Sequence, residues 1–490
     1  MKKLDDILKN VEVQKLVGPG STVIDAITFD SRQVKSGQLF VAIRGTSIDG
    51  HKFIITAIEN GASAIICETL PDEIYDNVTL VKVQNSAKAM GIVAANFYDN
   101  PSERLTLVGI TGTNGKTTVA TLLYRLFQRF GYRSGLLSTV RNYVCNKAIE
   151  ATHTTPDPIQ INRILKEMVD KECKYAFMEV SSHALVQERI AGLNFKGGIF
   201  TNITHDHLDY HQTFNEYLKA KKLFFDSLKS GSFALVNSDD RNSKIMVQNT
   251  PATKKYYGIK TIADFKAKII ESHFDGMQIS IDKTKVWTKY IGEFNAYNLL
   301  SVYACARLLD QPKDEILKIL STLDAVEGRF EYSKSNDGVI AIVDYAHTPD
   351  ALFNVLTTIN KIRTGSEQLI TVVGAGGNRD KTKRPKMAKI AVENSNKTIL
   401  TSDNPRNEIP EDIINDMYAG VEDSYKNSVL IIADRKEAIK TACMLANSGD
   451  IILVAGKGHE NYQEIKGTRY HFNDKEIINE QFMLNKLNLQ

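Results

Sequence analysis

At 490 residues the chain is too long for a single hydrophobic core, and a prior of about 150 residues per domain predicts about three domains. Its content of 42% hydrophobic and 24% charged residues is ordinary for a globular protein. The net charge of +3, from 61 basic and 58 acidic residues, gives no electrostatic basis for a nucleic-acid or membrane partner.

The cysteines and the first residues indicate the compartment. The five cysteines are scattered and form no C-x-x-C pair, which favours a reducing compartment over a disulfide framework or a Cys-based zinc site. The first residues lack the apolar core of a signal peptide, and no stretch approaches about 18 uninterrupted apolar residues. We therefore expect a cytoplasmic protein.

Residues 1–100 are predicted to form a small mixed α/β domain. Short strands are predicted at residues 26–30 and 38–43, and helices at residues 52–60 and 87–98. Two polar loops, at residues 29–32 and 45–51, lie beside these strands, where ligand contacts usually occur. Taken alone, both loops are more typical of plain turns. Turn-forming residues at 98–103 predict the linker to the next domain.

A strand, a glycine turn and a helix start together predict a phosphate-binding loop. Residues 105–111 suit a buried strand, the turn Gly112-Thr-Asn-Gly-Lys116 follows, and an apolar pattern at helical spacing comes next. Lys116 would reach the β- and γ-phosphates, and the Thr117 hydroxyl could ligate Mg²⁺. The spacing departs from G-x-x-x-x-G-K-[ST], because Ile110 occupies the first glycine position. A similar turn without nucleotide is the alternative, and the Lys-Thr-Thr sequence argues against it.

Residues 101–329 are predicted to form a central domain with a mostly parallel sheet and flanking helices, because strands and helices alternate. Further strands are predicted at residues 175–180, 198–203 and 233–237, and polar clusters follow at residues 153–156, 179–189 and 201–211. These clusters follow strand ends, the edge at which open α/β sheets bind ligands. Glu179 ends an apolar strand, so its carboxylate is placed to hold the Mg²⁺ of a bound nucleotide.

Three histidines in the last of these clusters raise a second metal hypothesis. His205, His207 and His211, with neighbouring aspartates, could bind zinc in a metal-dependent hydrolase. The phosphate loop and Glu179 in the same chain favour Mg²⁺ and phosphate instead. A polar loop whose histidines only form hydrogen bonds is the remaining alternative.

The helix that begins after Thr213 places a lysine in its apolar stripe. Lys221 lies at the centre of this stripe, whereas Lys219 lies on the far side. A lysine in such a position usually extends its ammonium group to solvent. The alternative is burial, which lowers the pKa of the amine and leaves it neutral. A neutral amine next to Mg²⁺ can capture CO₂ as a carbamate.

Residues 330–490 restart the strand–helix alternation and predict a Rossmann-like C-terminal α/β domain. The predicted strands lie at residues 339–345, 369–374, 398–401, 429–433 and 451–455. Polar segments follow several of them, and the glycine run after the second is a poor dinucleotide fingerprint. Arg379, Arg384 and Arg406 could converge as a carboxylate clamp, since guanidinium groups match carboxylates bidentately. Solvated surface arginines are the alternative.

Six motifs occur in a distinctive order over the predicted central and C-terminal domains. They are Gly112 to Thr118, Glu179 to His183, Asp206 to Asp209, Asn295, Arg329 and Asp344 to His347. Together they closely resemble the Mur ligases of bacterial cell-wall synthesis, and the resemblance covers essentially the full length. The segments at residues 29–32, 154–155, 403–406 and 456–460 are similar to those of the family members that add a diamino acid to a UDP-muramoyl dipeptide.

The resemblance implies an ATP-dependent amide ligase of peptidoglycan precursor synthesis. It would join UDP-N-acetylmuramoyl-L-alanyl-D-glutamate to meso-diaminopimelate through an acyl phosphate. In the family the motif Asp403-Asn-Pro-Arg406 accompanies meso-diaminopimelate, whose distal carboxylate L-lysine lacks. The alternatives are the same reaction with L-lysine, a folylpolyglutamate synthase-like ligase, and a non-catalytic nucleotide-binding module. We expect small-molecule substrates, no nucleic-acid or membrane partner, and a monomer.

The resemblance also implies roles at the nucleotide and metal sites. Lys116 would neutralise the transferring phosphate, Thr117 and Glu179 would attend one Mg²⁺, and His207 with a carbamate on Lys221 would attend a second. The residues that would hold ATP are Gly112, Thr113, Asn114, Gly115, Lys116, Thr117, Thr118, Asn295, Arg329 and Asp344.

Substrate positions implied by the resemblance come from all three domains. The UDP-muramoyl peptide would contact Phe29, Ser31, Thr46, Ser47, Ile48, His153, Thr154, Thr155, Ser181, Gln187 and Arg189. Diaminopimelate would contact Arg379, Asp403, Asn404, Pro405, Arg406, Gly456 and Glu460. His153 departs from the family, which commonly has Asn there, although an imidazole can still donate one hydrogen bond.

Overall fold

A computed structural model describes residues 1–45, 48–73, 75–206 and 208–487, without the side chains of Leu208, Asp209 and residues 485–487. The described chain forms three α/β units in sequence order, each built on its own main sheet. The predicted α/β class with N-terminal, central and C-terminal domains is thereby confirmed. The domain boundaries at residues 100 and 329 stay a prediction.

The N-terminal unit is a five-stranded sheet in the order β2-β7-β6-β5-β4, parallel except for its β2 edge. Its elements are β1 (Lys2–Lys3), α1 (Leu4–Ile7), β2 (Val13–Val17), β3 (Val23–Ile24), β4 (Ala26–Thr28), β5 (Gln38–Val41), α2 (Ile54–Glu59), β6 (Ala64–Cys67), β7 (Thr79–Val83) and α3 (Ser86–Phe97), with 3-10 turns at Ser31–Gln33, Gly50–Phe53 and Pro101–Glu103. The strands β5, β6 and β7 are almost fully buried, since helices cover both faces of a parallel sheet.

The central unit is an 11-stranded sheet in the order β11-β10-β9-β12-β8-β13-β14-β15-β16-β17-β18. Its strands are β8 (Thr106–Thr111), β9 (Ser134–Leu137), β10 (Arg141–Val144), β11 (Lys147–Glu150), β12 (Tyr175–Glu179), β13 (Gly197–Phe200), β14 (Phe233–Asn237), β15 (Thr253–Gly258), β16 (Phe265–His273), β17 (Gly276–Ile281) and β18 (Thr284–Thr288). Its helices are α4 (Lys116–Arg129), α5 (Pro158–Asp170), α6 (Ser182–Val186), α7 (Leu208–His211), α8 (Phe214–Asp226), α9 (Ser243–Met246), α10 (Glu293–Leu308) and α11 (Lys313–Leu320). Strands β9 to β16 of this order pair in parallel, and antiparallel strands extend both edges.

Two neighbouring glycines let α8 approach the centre of this sheet. Gly109 on β8 is paired with Gly198 on β13, and the Phe224 ring of α8 lies over both. A Cβ at Gly109 would lie 2.4 Å from Phe224 Cζ, so only glycine fits there. One turn earlier on the same helix, Lys221 is thereby brought to the end of β8.

The third unit is a six-stranded sheet in the order β19-β20-β24-β21-β22-β23, parallel except for β19. Its elements are β19 (Glu331–Lys334), β20 (Ile340–Asp344), α12 (Pro349–Ile362), β21 (Leu369–Ala375), α13 (Lys383–Asn394), β22 (Lys397–Ser402), α14 (Pro410–Tyr418), β23 (Val429–Ile431), α15 (Arg435–Leu445), β24 (Ile451–Ala455), β25 (Tyr462–Ile465), β26 (Thr468–His471) and α16 (Asp474–Leu487), with a 3-10 turn at Asp423–Ser428. The fully buried ion pair between Arg435 and Asp474, at 2.8 Å, ties α15 to the start of α16.

Every predicted strand agrees with the structure within two residues at each end, except one whose predicted end lies three residues too late. The strand predicted at 198–203 stops at Phe200, where residues 201–203 turn toward the phosphate loop. The strand predicted at 429–433 stops at Ile431, and the helix predicted at 52–60 begins at Ile54 after a 3-10 turn.

Within the described part of the chain, every helix is too short or too polar to span a bilayer.

Candidate active site

The carboxyl ends of strands from two sheets open onto one cleft of about 870 Å³ between the central and third units. Residues that follow β8, β12, β13 and β14 line one side, and residues that follow β20, β21, β22 and β24 line the other. This is the edge at which open α/β sheets bind ligands. Most of the predicted site residues therefore share one cavity.

The phosphate loop between β8 and α4 requires glycine at two points. Gly112 and Gly115 have φ values of 153° and 86°, and a Cβ at either position would clash with Thr201 or Asn298. Lys116 folds back over the loop, and its Nζ donates to the carbonyls of Gly112 (2.9 Å) and Thr113 (2.8 Å). Burial lowers the pKa of Lys116, while the nearby carboxylates of Glu179 and Asp206 act to raise it. A phosphate that took the place of those carbonyl contacts would restore the missing counter-charge.

Glu179 and Thr117 meet beneath this loop. The Thr117 hydroxyl donates to Glu179 Oε2 at 3.0 Å, and the Thr139 backbone N–H donates to Glu179 Oε1 at 2.8 Å. Glu179 ends β12, as predicted, and its side chain is fully buried. From the far side, Arg329 donates to the Thr117 hydroxyl at 3.2 Å. A hydroxyl and a carboxylate oxygen side by side are donors that suit Mg²⁺.

Lys221 is buried rather than extended to solvent. It is 1% exposed, its Nζ donates to the Gly112 carbonyl at 2.8 Å, and it lies 4.6 Å from the centre of the Tyr217 ring. Burial lowers the pKa of Lys221 well below its usual value, and the positive charge of Lys116 lowers it further. Of the two possibilities left open by the helix pattern, the structure shows the buried amine.

The histidine cluster is only partly described. His207 lies outside the described residues, as does the side chain of Asp209. His211 is buried, and its Nε2 lies 2.9 Å from the Ser182 hydroxyl. Among the side chains that are described, no group of three or more His, Cys, Asp or Glu is arranged around a metal position. The zinc hypothesis gains no support from them.

The predicted nucleotide residues Asn295, Arg329 and Asp344 line the cleft beyond the phosphate loop. Arg329 stacks over the Tyr345 ring at 4.5 Å, and its buried Nε has no hydrogen-bond partner, so one donor is available. Asp344 ends β20 and accepts a hydrogen bond from the Phe330 backbone N–H at 2.6 Å. Burial raises the pKa of Asp344 to about 6, against the opposing effect of the Arg329 charge.

A second predicted group joins the cleft beside β12. His153, Thr154, Thr155, Ser181 and Arg189 line it, whereas Gln187 lies behind Arg189 and holds it through two hydrogen bonds of 3.0 and 2.6 Å. The Thr155 hydroxyl donates to the Glu179 backbone carbonyl at 2.8 Å, which links this group to the residue proposed as a Mg²⁺ ligand. Burial lowers the pKa of His153, and the Arg189 charge acts in the same direction, so both favour the neutral ring.

The predicted N-terminal contacts lie elsewhere. Phe29 and Ile48 are exposed, Ser31 is buried with its carbonyl accepting from Asn60, and none of the three lines the cleft. Thr46 and Ser47 lie outside the described residues. Of the predicted N-terminal contacts, the described residues Phe29, Ser31 and Ile48 are therefore separate from the cavity that holds the phosphate loop.

The third unit presents a polar cluster after β22 and β24. Asn404 donates to Glu460 Oε2 at 2.8 Å, and the fully buried Lys457 donates to Asn404 Oδ1 at 3.0 Å. Asp403, Arg406, Arg379 and Gly456 also line the cleft, whereas Pro405 does not. Burial and the neighbouring Asp403 charge raise the pKa of Glu460.

Arg384 was wrongly included in the predicted carboxylate clamp. Its guanidinium is 0% exposed, and its two terminal nitrogens pair with Glu408 and Asp416 at 2.8–2.9 Å. It fastens α13 to α14 and is absent from the residues that line the cleft. Arg379 and Arg406 remain on the cleft wall, where Arg406 donates to the Gly377 carbonyl at 2.9 Å.

Sequence reasoning missed three residues of this site. Thr139 follows β9, a short strand that contains Gly135 and was not predicted. Asp350 lies just beyond the motif Asp344 to His347, and its contacts across the cleft are with residues more than 140 positions away. Lys457 lies in the polar segment 456–460, but its position after a strand does not indicate that its side chain will be buried.

A phosphate loop on a mostly parallel sheet, faced by a second parallel sheet across one cleft, defines a nucleotide-binding enzyme with three α/β domains. Comparison with known proteins makes this specific. Family models match residues 23–98 (Mur ligase family, catalytic domain), 110–306 (Mur ligase middle domain) and 328–458 (Mur ligase, glutamate ligase domain). The chain belongs to the Mur ligase family.

Full-length relatives agree with this assignment. Proteins of Bacteroides fragilis and Cytophaga hutchinsonii, each named UDP-N-acetylmuramoyl-L-alanyl-D-glutamate--2,6-diaminopimelate ligase, are 55% identical over 98% of this chain and 98–99% of their own length. A solved structure of the same name superposes with a TM-score of 0.69 at 30% identity, covering 99% of both chains. MurF of Thermotoga maritima with ADP, at 19% identity and a TM-score of 0.64, shares the fold.

Proposed function

We propose that the protein is an ATP-dependent amide ligase that adds meso-diaminopimelate to UDP-N-acetylmuramoyl-L-alanyl-D-glutamate in peptidoglycan precursor synthesis. Full-length relatives at 55% identity carry the name of this activity. The observation that carries the proposal is the shared cleft, in which the phosphate loop faces the Asp403-Asn-Pro-Arg406 segment and Glu460. ATP and an amino acid with a second carboxylate would meet there.

The reaction needs anions to be brought together. The substrate carboxylate attacks the γ-phosphorus of ATP, and ADP leaves to give an acyl phosphate. The amine of the diamino acid then attacks the acyl carbon, and phosphate leaves from the tetrahedral intermediate as the amide forms. Catalysis therefore consists mainly of charge neutralisation and positioning. Lys116 would neutralise the transferring phosphate, and the loop residues Gly112, Thr113, Asn114, Gly115, Thr117 and Thr118 would hold it.

Two Mg²⁺ ions and a carbamate complete the proposed site. The paired oxygens of Thr117 and Glu179 suit one ion, and His207 with carbamylated Lys221 would hold the second. When bound, the ions neutralise phosphate charge and polarise the phosphorus. Burial of Lys221 supports the modification, because a neutral amine adds to CO₂ with loss of one proton and becomes an anionic metal ligand. Asn295, Arg329 and Asp344 would hold the nucleotide.

The remaining substrate residues divide between the three proposed domains, 1–100, 101–329 and 330–490. The UDP end would bind the N-terminal residues Phe29, Ser31, Thr46, Ser47 and Ile48, and the peptide would bind His153, Thr154, Thr155, Ser181, Gln187 and Arg189. Diaminopimelate would bind Arg379, Asp403, Asn404, Pro405, Arg406, Gly456 and Glu460. The free cysteines support a reducing, cytoplasmic location, and we propose that a single chain is active.

The choice of diamino acid would depend on Arg406. The distal centre of meso-diaminopimelate carries a carboxylate that can pair with a guanidinium, and L-lysine has none. Arg406 is held on the cleft wall by its contact to Gly377, and its backbone N–H donates to the Glu464 carbonyl at 3.0 Å, so its position is fixed before a ligand binds.

The test measures phosphate release from ATP with the UDP-dipeptide, comparing meso-diaminopimelate with L-lysine. We expect turnover with meso-diaminopimelate and a large preference for it over L-lysine. In Arg406→Ala the KM for meso-diaminopimelate should rise by about 10- to 100-fold, corresponding to a charge-assisted pair, while the KM for ATP changes little. Arg469→Ala, an exposed arginine on β26, is the matched control. Equal losses for ATP and the diamino acid, or equal use of L-lysine, would contradict the proposal.

A further inference from the structure

A carboxylate of the third unit contacts the phosphate loop directly. Asp350 Oδ2 accepts hydrogen bonds from Asn114 Nδ2 at 2.9 Å and from Thr204 Oγ1 at 3.3 Å, both in the central unit. The same oxygen accepts from Asn354 Nδ2 at 3.2 Å, one turn along its own helix α12. One oxygen atom thus gathers donors from both sides of the cleft.

The two donors from the central unit, Asn114 and Thr204, take part in the hydrogen bonds that hold the phosphate loop. The Asn114 backbone N–H donates to Asn202 Oδ1 at 2.9 Å, and its carbonyl accepts from Thr201 Oγ1 at 2.6 Å. The Thr204 backbone N–H donates to Thr113 Oγ1 at 3.0 Å. Asp350 therefore contacts both the phosphate loop and the segment that follows β13, which already hydrogen-bond to each other. A movement of α12 would displace both segments.

Asp350 is held by neutral donors and by its place in the helix. Its three partners, Asn114, Thr204 and Asn354, carry no charge. Thr348 caps α12 by accepting from the Ala351 N–H at 3.3 Å, Pro349 occupies the first turn, and Asp350 follows at the positive end of the helix dipole. Burial raises the pKa of Asp350, and its hydrogen bonds to Thr204 and Asn114 act in the opposite direction. Amide and hydroxyl donors can be exchanged for water, so such a contact can open and re-form in each catalytic cycle.

We infer that Asp350 is a positioning residue that fastens the phosphate loop to the third domain and so aligns the γ-phosphate with the amine bound across the cleft. This inference rests on the proposed ligase function. Lys116 follows Asn114 by two residues, and the diamino-acid segment lies in the domain that carries Asp350. Because reacting groups must be aligned within about 1 Å, a link between these two parts affects the rate more than the binding of either substrate.

The test compares Asp350→Ala and Asp350→Asn with the matched control Glu411→Ala. Glu411 occupies the same position in α14, directly after the proline that starts the helix, and its side chain is exposed. We expect Asp350→Ala to lower kcat by about 10- to 100-fold with less than about a threefold change in the KM values. Asp350→Asn keeps an oxygen acceptor and should retain most of the rate. Glu411→Ala should behave as wild type.

Two further measurements separate this role from a general loss of structure. Small-angle scattering of the ligand-free proteins should give a larger radius of gyration for Asp350→Ala than for wild type and Glu411→Ala. The kcat losses of Asn114→Ala and Asp350→Ala should not multiply in the double variant, because both remove one contact. Wild-type kcat and scattering in Asp350→Ala, with an active wild type, would overturn the inference. An inactive wild type would instead overturn the proposed function, and the scattering comparison would still test the contact.

Discussion

Lys221 and Lys116 donate to the same carbonyl, that of Gly112, although they come from different helices. Two ammonium groups this close repel each other, and burial removes the water that would screen them. The arrangement favours loss of a proton from Lys221, because the Glu179 carboxylate acts to raise the pKa of Lys116 while the Lys116 charge lowers the pKa of Lys221. This is the chemical state from which a carbamate can form.

The Lys221→Ala variant should remain folded and lose activity on the order of 100-fold or more, because the proposed metal ligand is absent. The measurement is phosphate release together with circular dichroism of the variant. Lys219→Ala is the control, since Lys219 lies on the exposed side of the same helix and pairs with Glu216. ¹³C NMR in ¹³C-bicarbonate should show a carbamate signal that the variant lacks. A wild-type rate in Lys221→Ala would contradict the carbamate hypothesis.

Asp344 makes stability depend on pH in a defined direction. Its pKa in the folded protein is about 6, above the usual 3.8, so the folded state favours the protonated carboxyl. The stabilisation from this group is full below about pH 4 and is lost as pH rises through about 6. Relative to Asp344→Asn, the wild type should therefore lose up to about 3 kcal/mol of unfolding free energy between these values. Urea unfolding of both proteins at pH 4.5 and 7 measures it; a difference independent of pH would refute the assignment.

At the scale of elements, α8 is positioned by the glycines beneath it. In Gly109→Ala the new methyl group would overlap Phe224, push α8 outward and withdraw Lys221 from the Gly112 carbonyl. We expect a loss of about 1–3 kcal/mol of stability and a fall in activity. Adding Phe224→Leu removes the overlapping ring and should recover part of both, as measured by thermal unfolding and phosphate release. Full activity in Gly109→Ala alone would show that Lys221 does not depend on this packing.

The elements differ in how far their sequence predicts them. Strands such as β14 and β24 are continuous apolar runs buried on both faces, and the sequence predicted their bounds without error. The hairpin strands β10 and β11 and the antiparallel strands β16 to β18 were missed, because their mixed polar and apolar residues suit half-exposed surfaces. Period and composition alone do not separate such strands from loops.

At the scale of the whole molecule, the sequence predicted that polar segments after parallel strands would share one edge, and the cleft confirms this for two sheets. It could not predict which side chains meet across the cleft. The contact between Asn114 and Asp350 spans 236 positions. Arg384 pairs with Glu408 away from the cleft, although nothing in the sequence distinguishes it from Arg379 and Arg406. Such contacts depend on the relative placement of domains, which local patterns do not encode.

The carbonyl of Gly112 has one further consequence. It now accepts hydrogen bonds from the amines of Lys116 and Lys221, and a carbamate on Lys221 would place a negative charge beside it. The carbamate oxygens would be repelled by the carbonyl oxygen, and this repulsion would favour rotation of the modified side chain away from the loop. That rotation would leave Lys116 as the remaining lysine at this carbonyl and would give it more freedom to turn toward a phosphate. In this way carbamylation of Lys221 would control how easily Lys116 reaches a bound phosphate.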